Sequence, residues 1–86
     1  MRISDLTVDE EFESVIPPLT DEEFELLKES ILDDGEVYHP LVVWNNIIVD
    51  GHHRYKILKE HPGLKYRISK REFENRYEVI SWICLN

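Results

Sequence analysis

The chain has 86 residues, of which 42% are hydrophobic and 33% are charged. This length and composition predict one small globular domain with a single core, spanning residues 1–86, and exclude a two-domain chain. Eighteen acidic residues against ten basic ones give a net charge of -8. Such a balance disfavours a large DNA-binding surface, because these surfaces neutralise phosphates with Lys and Arg.

The charges and the single cysteine restrict the partners and the compartment. Residues 1–36 hold most of the acidic side chains and only Arg2 and Lys28 as cations, whereas residues 52–76 hold eight basic side chains against three glutamates. The second half of the chain is therefore the half that we expect to hold an anion. Cys84 is the only cysteine, and the sequence has neither a leader nor a long apolar run. We expect a soluble, cytoplasmic domain without a disulfide or a membrane partner.

The first elements in chain order are an irregular acidic segment and a helix. Residues 1–19 lack periodicity, apart from a short strand predicted at residues 3–6. Thr20, with Glu23 three residues later, forms the capping-box pattern. We predict a helix over residues 21–33 that ends at Gly35.

Two β-branched runs follow, at residues 41–44 and 47–49, with Asn45-Asn46 between them. This pattern predicts a two-residue β-hairpin whose strands are apolar on both faces and covered by helices. A short helix at residues 53–61, an edge strand at residues 65–69 and a last helix from Tyr77 complete the prediction. The expected fold class is α+β, a small mixed β-sheet with a central hairpin packed by three helices. Since no cap follows the last helix, we expect the 86 residues to be a fragment of a longer protein.

The junction between the second hairpin strand and its helix carries the candidate chemistry. Its sequence is Asp50-Gly51-His52-His53-Arg54-Tyr55, which places cations in a first turn, where the helix dipole disfavours them. An anion held there by backbone amides and by Arg54 would account for this placement. In the alternative interpretation, Gly51 makes a turn, the histidines are exposed and Arg54 pairs with a carboxylate. Four such residues at one junction favour the phosphate site.

The order of these features resembles the amino-terminal domain of the ParB and sulfiredoxin superfamily, which also includes domains described as ParB-like nucleases. The resemblance covers about residues 19–65. It rests on the helix ending at Gly35, on His39-Pro40-Leu41-Val42-Val43, and on Gly51-x-x-Arg54-Tyr55 after the hairpin. It implies that the phosphates of CTP or ATP, with Mg²⁺, are bound by the junction residues Gly51, His52, His53, Arg54 and Tyr55.

The sequence departs from the family pattern in two places. His52 stands where sulfiredoxins have their catalytic cysteine, so we predict no sulfiredoxin activity. The second phosphate motif and the helix-turn-helix of partition proteins would lie beyond Asn86, which leaves CTP specificity and DNA clamping open. The nuclease branch implies a metal or a general base, for which Asp50 is the candidate metal ligand and His52 and His53 are the candidate catalytic bases.

Three functions stay open at this point. The favoured one is a nucleotide- or phosphate-binding domain of a DNA-associated protein involved in partition, transcription or a mobile element. The second is a nuclease, or a nucleotide hydrolase or kinase, and the third is a protein-interaction domain without a ligand. The expected partners are a nucleotide, DNA through a longer protein but weakly through this acidic domain, and a second copy in a homodimer.

Three further features of the sequence are interpreted as packing residues or as a second, weaker candidate site. Trp44 and Trp82 are predicted to be core or interface aromatics. Cys84 is predicted to be a small buried hydrophobic residue. A basic cluster is a secondary candidate for an anion-binding surface, although interleaved glutamates are typical of a solvated face; it comprises Lys65, Arg67, Lys70, Arg71 and Arg76.

Overall fold

The computed structural model describes residues 2–85, in which four α-helices and three β-strands follow a short 3-10 helix. The 3-10 helix spans Ile3–Asp5, and the elements after it are α1 (Glu10–Ser14), α2 (Asp21–Asp34), β1 (Leu41–Trp44), β2 (Ile47–Asp50), α3 (His52–Glu60), β3 (Ile68–Lys70) and α4 (Arg76–Leu85). No helix within this part of the chain is both long and apolar enough to cross a membrane.

Helix α2 forms where its capping pattern predicts it. The Oγ1 of Thr20 accepts a hydrogen bond from the Glu23 N–H at 3.1 Å, and the Glu23 carboxylate accepts one from the Thr20 N–H at 3.0 Å. The bond from the Thr20 amide lowers the pKa of Glu23. At the other end Gly35 has a φ of 74°, and its N–H donates to the Ile31 carbonyl at 2.9 Å. Local hydrogen bonds therefore fix both ends of the helix, and the prediction of residues 21–33 is confirmed to within one residue.

The sheet is mixed, as predicted, with the strand order β2-β1-β3. Strands β1 and β2 are antiparallel and are joined by Asn45 and Asn46, which have φ values of 51° and 64°. Positive φ at both positions gives the hairpin turn whose twist matches that of the strands. Strand β3 pairs with β1 in the parallel sense, so β1 is central and β3 lies at an edge.

A β-bulge lies in the hairpin close to the start of α3. Val42 pairs with Asp50, whereas the next residue, Val43, pairs with Ile48. Val49 is therefore an extra residue on β2. Bulges redirect the strand and its side chains, and this one lies directly before the junction that leads into α3. Consecutive residues Ile48 and Val49 are both fully buried, one on each face of the sheet.

Helices cover both faces of the sheet. One cluster joins the sheet to α2 and α3, and its buried members include Ile31, Leu41, Val43, Ile48, Ile57 and Leu58. The second cluster joins the opposite face to α1 and α4 through Phe12, Val49 and Val79. This arrangement confirms the prediction that the apolar hairpin strands are covered on both sides.

The amino-terminal prediction is wrong in two respects. Residues 3–6 contain a 3-10 helix, not a strand, and the bridge between Thr7 and Ile47 is the contact this segment makes with the sheet. Residues 10–14 form α1, whereas the sequence predicts an irregular segment there. Asp9 caps α1 by accepting hydrogen bonds from the amides of Glu11 and Phe12 at 3.0 and 3.3 Å. Five residues are too few to show helical periodicity, which explains the omission.

Arg76 connects α1 to α4. Its Nη2 lies 2.9 Å from Asp9 Oδ1 and 2.8 Å from Glu11 Oε1, and its guanidinium lies 4.7 Å from the centroid of the Phe12 ring. The hydrogen bond from Arg76 lowers the pKa of Asp9. Because α1 is absent from the predicted fold, the prediction of three packing helices is corrected to four within residues 2–85.

In the carboxyl-terminal half, the structure differs from the prediction in smaller ways. Helix α3 starts one residue earlier than predicted, and β3 starts at Ile68, while Lys65 contributes an isolated bridge to Glu36. Trp44 and Trp82 pack against the second cluster, as predicted. Cys84 is exposed, which corrects the prediction of a buried thiol. It lies on the last turn of α4, beside the exposed Leu85.

Candidate phosphate-binding site

Gly51 forms the junction between β2 and α3, with a φ of 101°. A side chain here would be strained, because L-residues rarely adopt this conformation. It would also lack space, since a Cβ atom would lie 2.6 Å from Leu41 Cδ2 and 3.2 Å from Arg54 Nη2. The turn therefore requires glycine for two independent reasons, and the absent side chain lets Arg54 lie against the backbone.

The first turn of α3 has no side-chain cap. The other three α-helices of residues 2–85 each have a side chain that accepts a hydrogen bond from a first-turn amide, namely Asp9, Thr20 and Asn75. In α3 the first intrahelical bond runs from the Tyr55 N–H to the Gly51 carbonyl at 2.8 Å. By helix geometry the amides of residues 52–54 have no intrahelical acceptor. They are the donors that an anion at this helix end would use.

Arg54 lies across the junction and is held by Asp50. Its Nη2 is 3.3 Å from Asp50 Oδ2, with 17% of the Arg54 side chain and 52% of the Asp50 side chain exposed. Because the Asp50 carboxylate is half exposed, such a pair contributes at most about 1 kcal/mol. The pairing with a carboxylate agrees with the alternative interpretation of Arg54. The pair nevertheless fixes the guanidinium beside the uncapped helix end, with the rest of its planar fork able to bind a second anion.

The two histidines are not exposed, contrary to the alternative interpretation. His52 is 3% exposed, and neither of its ring nitrogens has a hydrogen-bond partner; the Nε2 of His53 is likewise buried without a partner. Burial lowers the pKa of His52, and the carboxylate of Glu13 on α1 opposes this effect. His52 is therefore neutral at pH 7, with one donor and one acceptor nitrogen unsatisfied. Such orphaned buried atoms are uncommon and each costs free energy.

The Tyr55 side chain lies in the hydrophobic core. Its side chain is 7% exposed and lies in the first cluster, and its hydroxyl donates to the Leu6 carbonyl at 3.3 Å. Its amide is already used within the helix. Of the five predicted phosphate contacts, Tyr55 is the one whose polar groups are both occupied. Gly51, His52, His53 and Arg54 are brought together at one helix end.

Asp50 and the histidines do not form a complete protein-only metal site. Within residues 2–85 there is no group of three His, Cys, Asp or Glu side chains placed to share a metal ion. A magnesium ion bound with a nucleotide needs less, because it takes one or two carboxylates together with phosphate oxygens and water. Asp50, half exposed beside the uncapped helix end, fits that smaller requirement.

A cleft of about 170 Å³ opens beside Asp50, between the loop after α1 and helix α4. Its walls include Ile16, Pro17 and Trp82. From the sequence, Trp82 is predicted only to be a core or interface aromatic, and Glu13, Ile16 and Pro17 carry no signal for this site, because only the tertiary structure brings them close to the junction. Larger cavities, of about 410, 420 and 480 Å³, lie elsewhere, and Tyr55 is the one predicted phosphate-site residue that lines any of these three. Asp50 is the one predicted site residue that lines this small cleft. A nucleotide with its phosphates at the end of α3 would therefore extend over the protein surface.

Comparison with known proteins supports the fold. No protein-family model matches the chain, and no curated protein matches it by sequence. Among solved structures, it is similar to the C2221 form of a Pnob8-like ParB-N domain, with a TM-score of 0.72 and 26% sequence identity. The match covers 91% of this chain and 30% of the solved chain. The chain therefore has a ParB-like fold, and it spans less than a third of the length of that protein.

Proposed function

We propose that this domain binds the phosphates of a nucleotide at the amino-terminal end of α3, and that it serves as the ligand-binding part of a DNA-associated ParB-like protein. The observation that carries the proposal is the combination of an uncapped helix end with buried, unpartnered imidazole nitrogens at His52 and His53. Both kinds of group lack partners, and a phosphate would supply acceptors to them together.

Each residue has a separate role in this proposal. The amides of residues 52–54 donate to phosphate oxygens, and Gly51 allows the close approach of Arg54. Arg54 adds a charged donor and keeps its contact with Asp50, which fixes its orientation. An imidazole N–H of His52 or His53 donates one further hydrogen bond. Asp50 is the residue that would hold Mg²⁺, which would neutralise phosphate charge and fix its geometry.

The electrostatic setting supports a small anion here. The chain as a whole has a net charge of -8, so long-range attraction does not bring an anion to this domain. Binding must therefore come from short-range donors at the helix end, with Arg54 as the nearest side-chain cation. We therefore expect modest affinity for a phosphate group and a strong dependence of binding on Arg54.

Isothermal titration calorimetry with CTP, ATP and GTP in the presence of Mg²⁺ tests the proposal. We expect saturable binding of at least one nucleotide, and a loss of about tenfold or more in Arg54→Ala, because a charge-assisted hydrogen bond contributes about 1.5–3 kcal/mol. Lys59→Ala is the matched control, since it removes a cation from the other end of the same helix. Absence of heat at millimolar nucleotide in the wild-type protein would exclude the proposal, and so would equal loss in the two variants.

The nuclease and nucleotide-hydrolase alternatives are separated from binding by turnover. A general base must offer a free acceptor nitrogen to the attacking water, whereas the role proposed for His52 and His53 is to donate to phosphate oxygens, so we expect binding without hydrolysis. Release of inorganic phosphate from ATP or CTP, or cleavage of DNA with Mg²⁺, would favour an enzyme. Those products would have to disappear in His53→Gln or Asp50→Asn for this site to be responsible.

A further inference from the structure

Two arginines that flank edge strand β3, Arg67 and Arg71, form no ion pair with a carboxylate among the described residues. Arg67 donates through Nη2 to the Tyr38 carbonyl, and the guanidinium of Arg71 lies 5.1 Å from the Trp82 ring centroid and 5.7 Å from that of Phe73. In contrast, Arg54 and Arg76 are paired with carboxylates. Among residues 2–85, neither Arg67 nor Arg71 has an ion pair within 4.0 Å. Both guanidinium groups are therefore held in place by neutral groups, and their positive charge is available to bind an anion.

The strand geometry places these arginines in a row. The Leu41 N–H donates to the Arg67 carbonyl at 3.0 Å, and the Arg71 N–H donates to the Val43 carbonyl at 2.9 Å, so the ladder with β1 includes both residues. Alternate residues of a strand share a face, and Ser69 therefore lies between Arg67 and Arg71 on the same side. The two arginine Cα atoms are about 13 Å apart by strand geometry, with the exposed Ser69 at the midpoint.

An exposed aromatic residue lies at one end of this row. Tyr38 is 55% exposed, and its own carbonyl is the acceptor for Arg67. Lys65 and Lys70 add two exposed cations to the same segment without a described ion pair. Cations in a row beside an exposed aromatic ring are the combination that binds single-stranded nucleic acid, in which the phosphates meet the cations and a base stacks on the ring.

We propose that the row formed by Arg67, Ser69 and Arg71, together with Tyr38, binds the backbone of a single-stranded nucleic acid. This site is separate from the end of α3 and does not depend on nucleotide binding there. A single strand is favoured over a duplex because the row is narrow and the rest of the domain is acidic, so that the second strand of a duplex would meet carboxylates. It is favoured over an acidic peptide because Tyr38 offers a stacking surface that a peptide does not require.

Fluorescence anisotropy with labelled oligothymidylate and oligouridylate of about twelve nucleotides tests this proposal with the whole chain. We expect binding at about 50 mM salt that weakens by about tenfold or more at about 200 mM salt, because three phosphate contacts, at Lys65, Arg67 and Arg71, give a slope of about -2 in log K against log salt. We expect at least tenfold weaker binding for Arg67→Gln/Arg71→Gln. Arg2→Gln/Lys28→Gln, which removes the same charge elsewhere, should change it less than twofold.

Ser69 provides a test that does not remove a contact from the fold. Ser69→Asp places a negative charge in the middle of the row and should weaken binding several-fold, whereas Ser69→Ala should have no effect. This pair keeps the test valid if the arginine variant does not fold. No binding at about 50 mM salt, equal weakening in the two double variants, or stronger binding of a duplex or of a polyglutamate peptide than of the single strand would each overturn the proposal.

Discussion

The substitution Gly51→Ala should be the most destabilising change of a glycine in this chain. It places a Cβ atom at a φ of 101°, and 2.6 Å from Leu41 Cδ2. Leu41 is fully buried, so its methyl group has no free space into which to move. The guanidinium of Arg54, with Nη2 at 3.2 Å from the same point, would have to move as well.

The loss of unfolding free energy in Gly51→Ala has two contributions. The left-handed backbone costs an L-residue about 1–2 kcal/mol, and forcing a methyl group into a packed core costs about 1–3 kcal/mol. The sum is about 2–5 kcal/mol, which for a domain of this size lowers the melting temperature by more than about 8 °C. The two other glycines provide controls. Gly35→Ala has a φ of 74° but nothing within 4 Å, and Gly63→Ala also has open space around it.

Thermal and urea unfolding followed by circular dichroism would measure all three variants. We expect Gly35→Ala to lose about 1 kcal/mol from the backbone alone, and Gly63→Ala to stay within about 0.5 kcal/mol of wild type. Gly51→Ala should also weaken nucleotide binding, since it displaces Arg54. If Gly51→Ala and Gly35→Ala unfolded at the same urea concentration, the close approach of Leu41 and Arg54 to this glycine would be refuted.

Three further predictions concern pH, capping and thiol exposure. Burial lowers the pKa of His52, so on acidification the unfolded state takes up this proton before the folded state does. The urea midpoint should therefore fall as the pH drops through the ordinary histidine range. The fall should be smaller in His52→Gln, and an equal fall would contradict the burial of His52. Thr20→Ala removes the α2 capping box and should cost about 1 kcal/mol in urea unfolding, whereas Ser30→Ala, inside the same helix, should cost little. Cys84 should react with Ellman's reagent in the folded protein about as fast as in urea, because it is exposed; slow reaction confined to the unfolded protein would show that it is buried.

Features that depend on a few neighbouring residues could be predicted from the sequence. The capping box at Thr20 and the pair Asn45-Asn46 each fix the local backbone through bonds or φ values that the residue types themselves favour. The helix and the hairpin therefore lie where they were predicted. The starting pattern of α1 was also present, because Asp9 is followed by acidic residues and Phe12 much as Thr20 is followed by acidic residues and Phe24. Its short length left that pattern without the periodicity that confirms a helix.

Features that depend on tertiary packing could not be predicted. Nothing local to His52 indicates that its side chain is buried, and nothing local to Tyr55 indicates that its hydroxyl meets the Leu6 carbonyl, forty-nine residues away. The exposure of Cys84 likewise depends on what packs against the last turn of α4. For the candidate site, the sequence identified the junction and its glycine, while the structure showed which polar groups there have no partner.

The most direct test of phosphate binding at α3 is a ¹H–¹⁵N correlation spectrum recorded during titration with CTP or ATP and Mg²⁺. We expect the amide signals of His52, His53 and Arg54 to shift most, because these amides have no acceptor within the helix and no side-chain cap. The same titration of Arg54→Ala should leave them nearly unchanged. Saturable shifts that are centred elsewhere, or no shifts at millimolar nucleotide, would contradict phosphate binding at the end of α3.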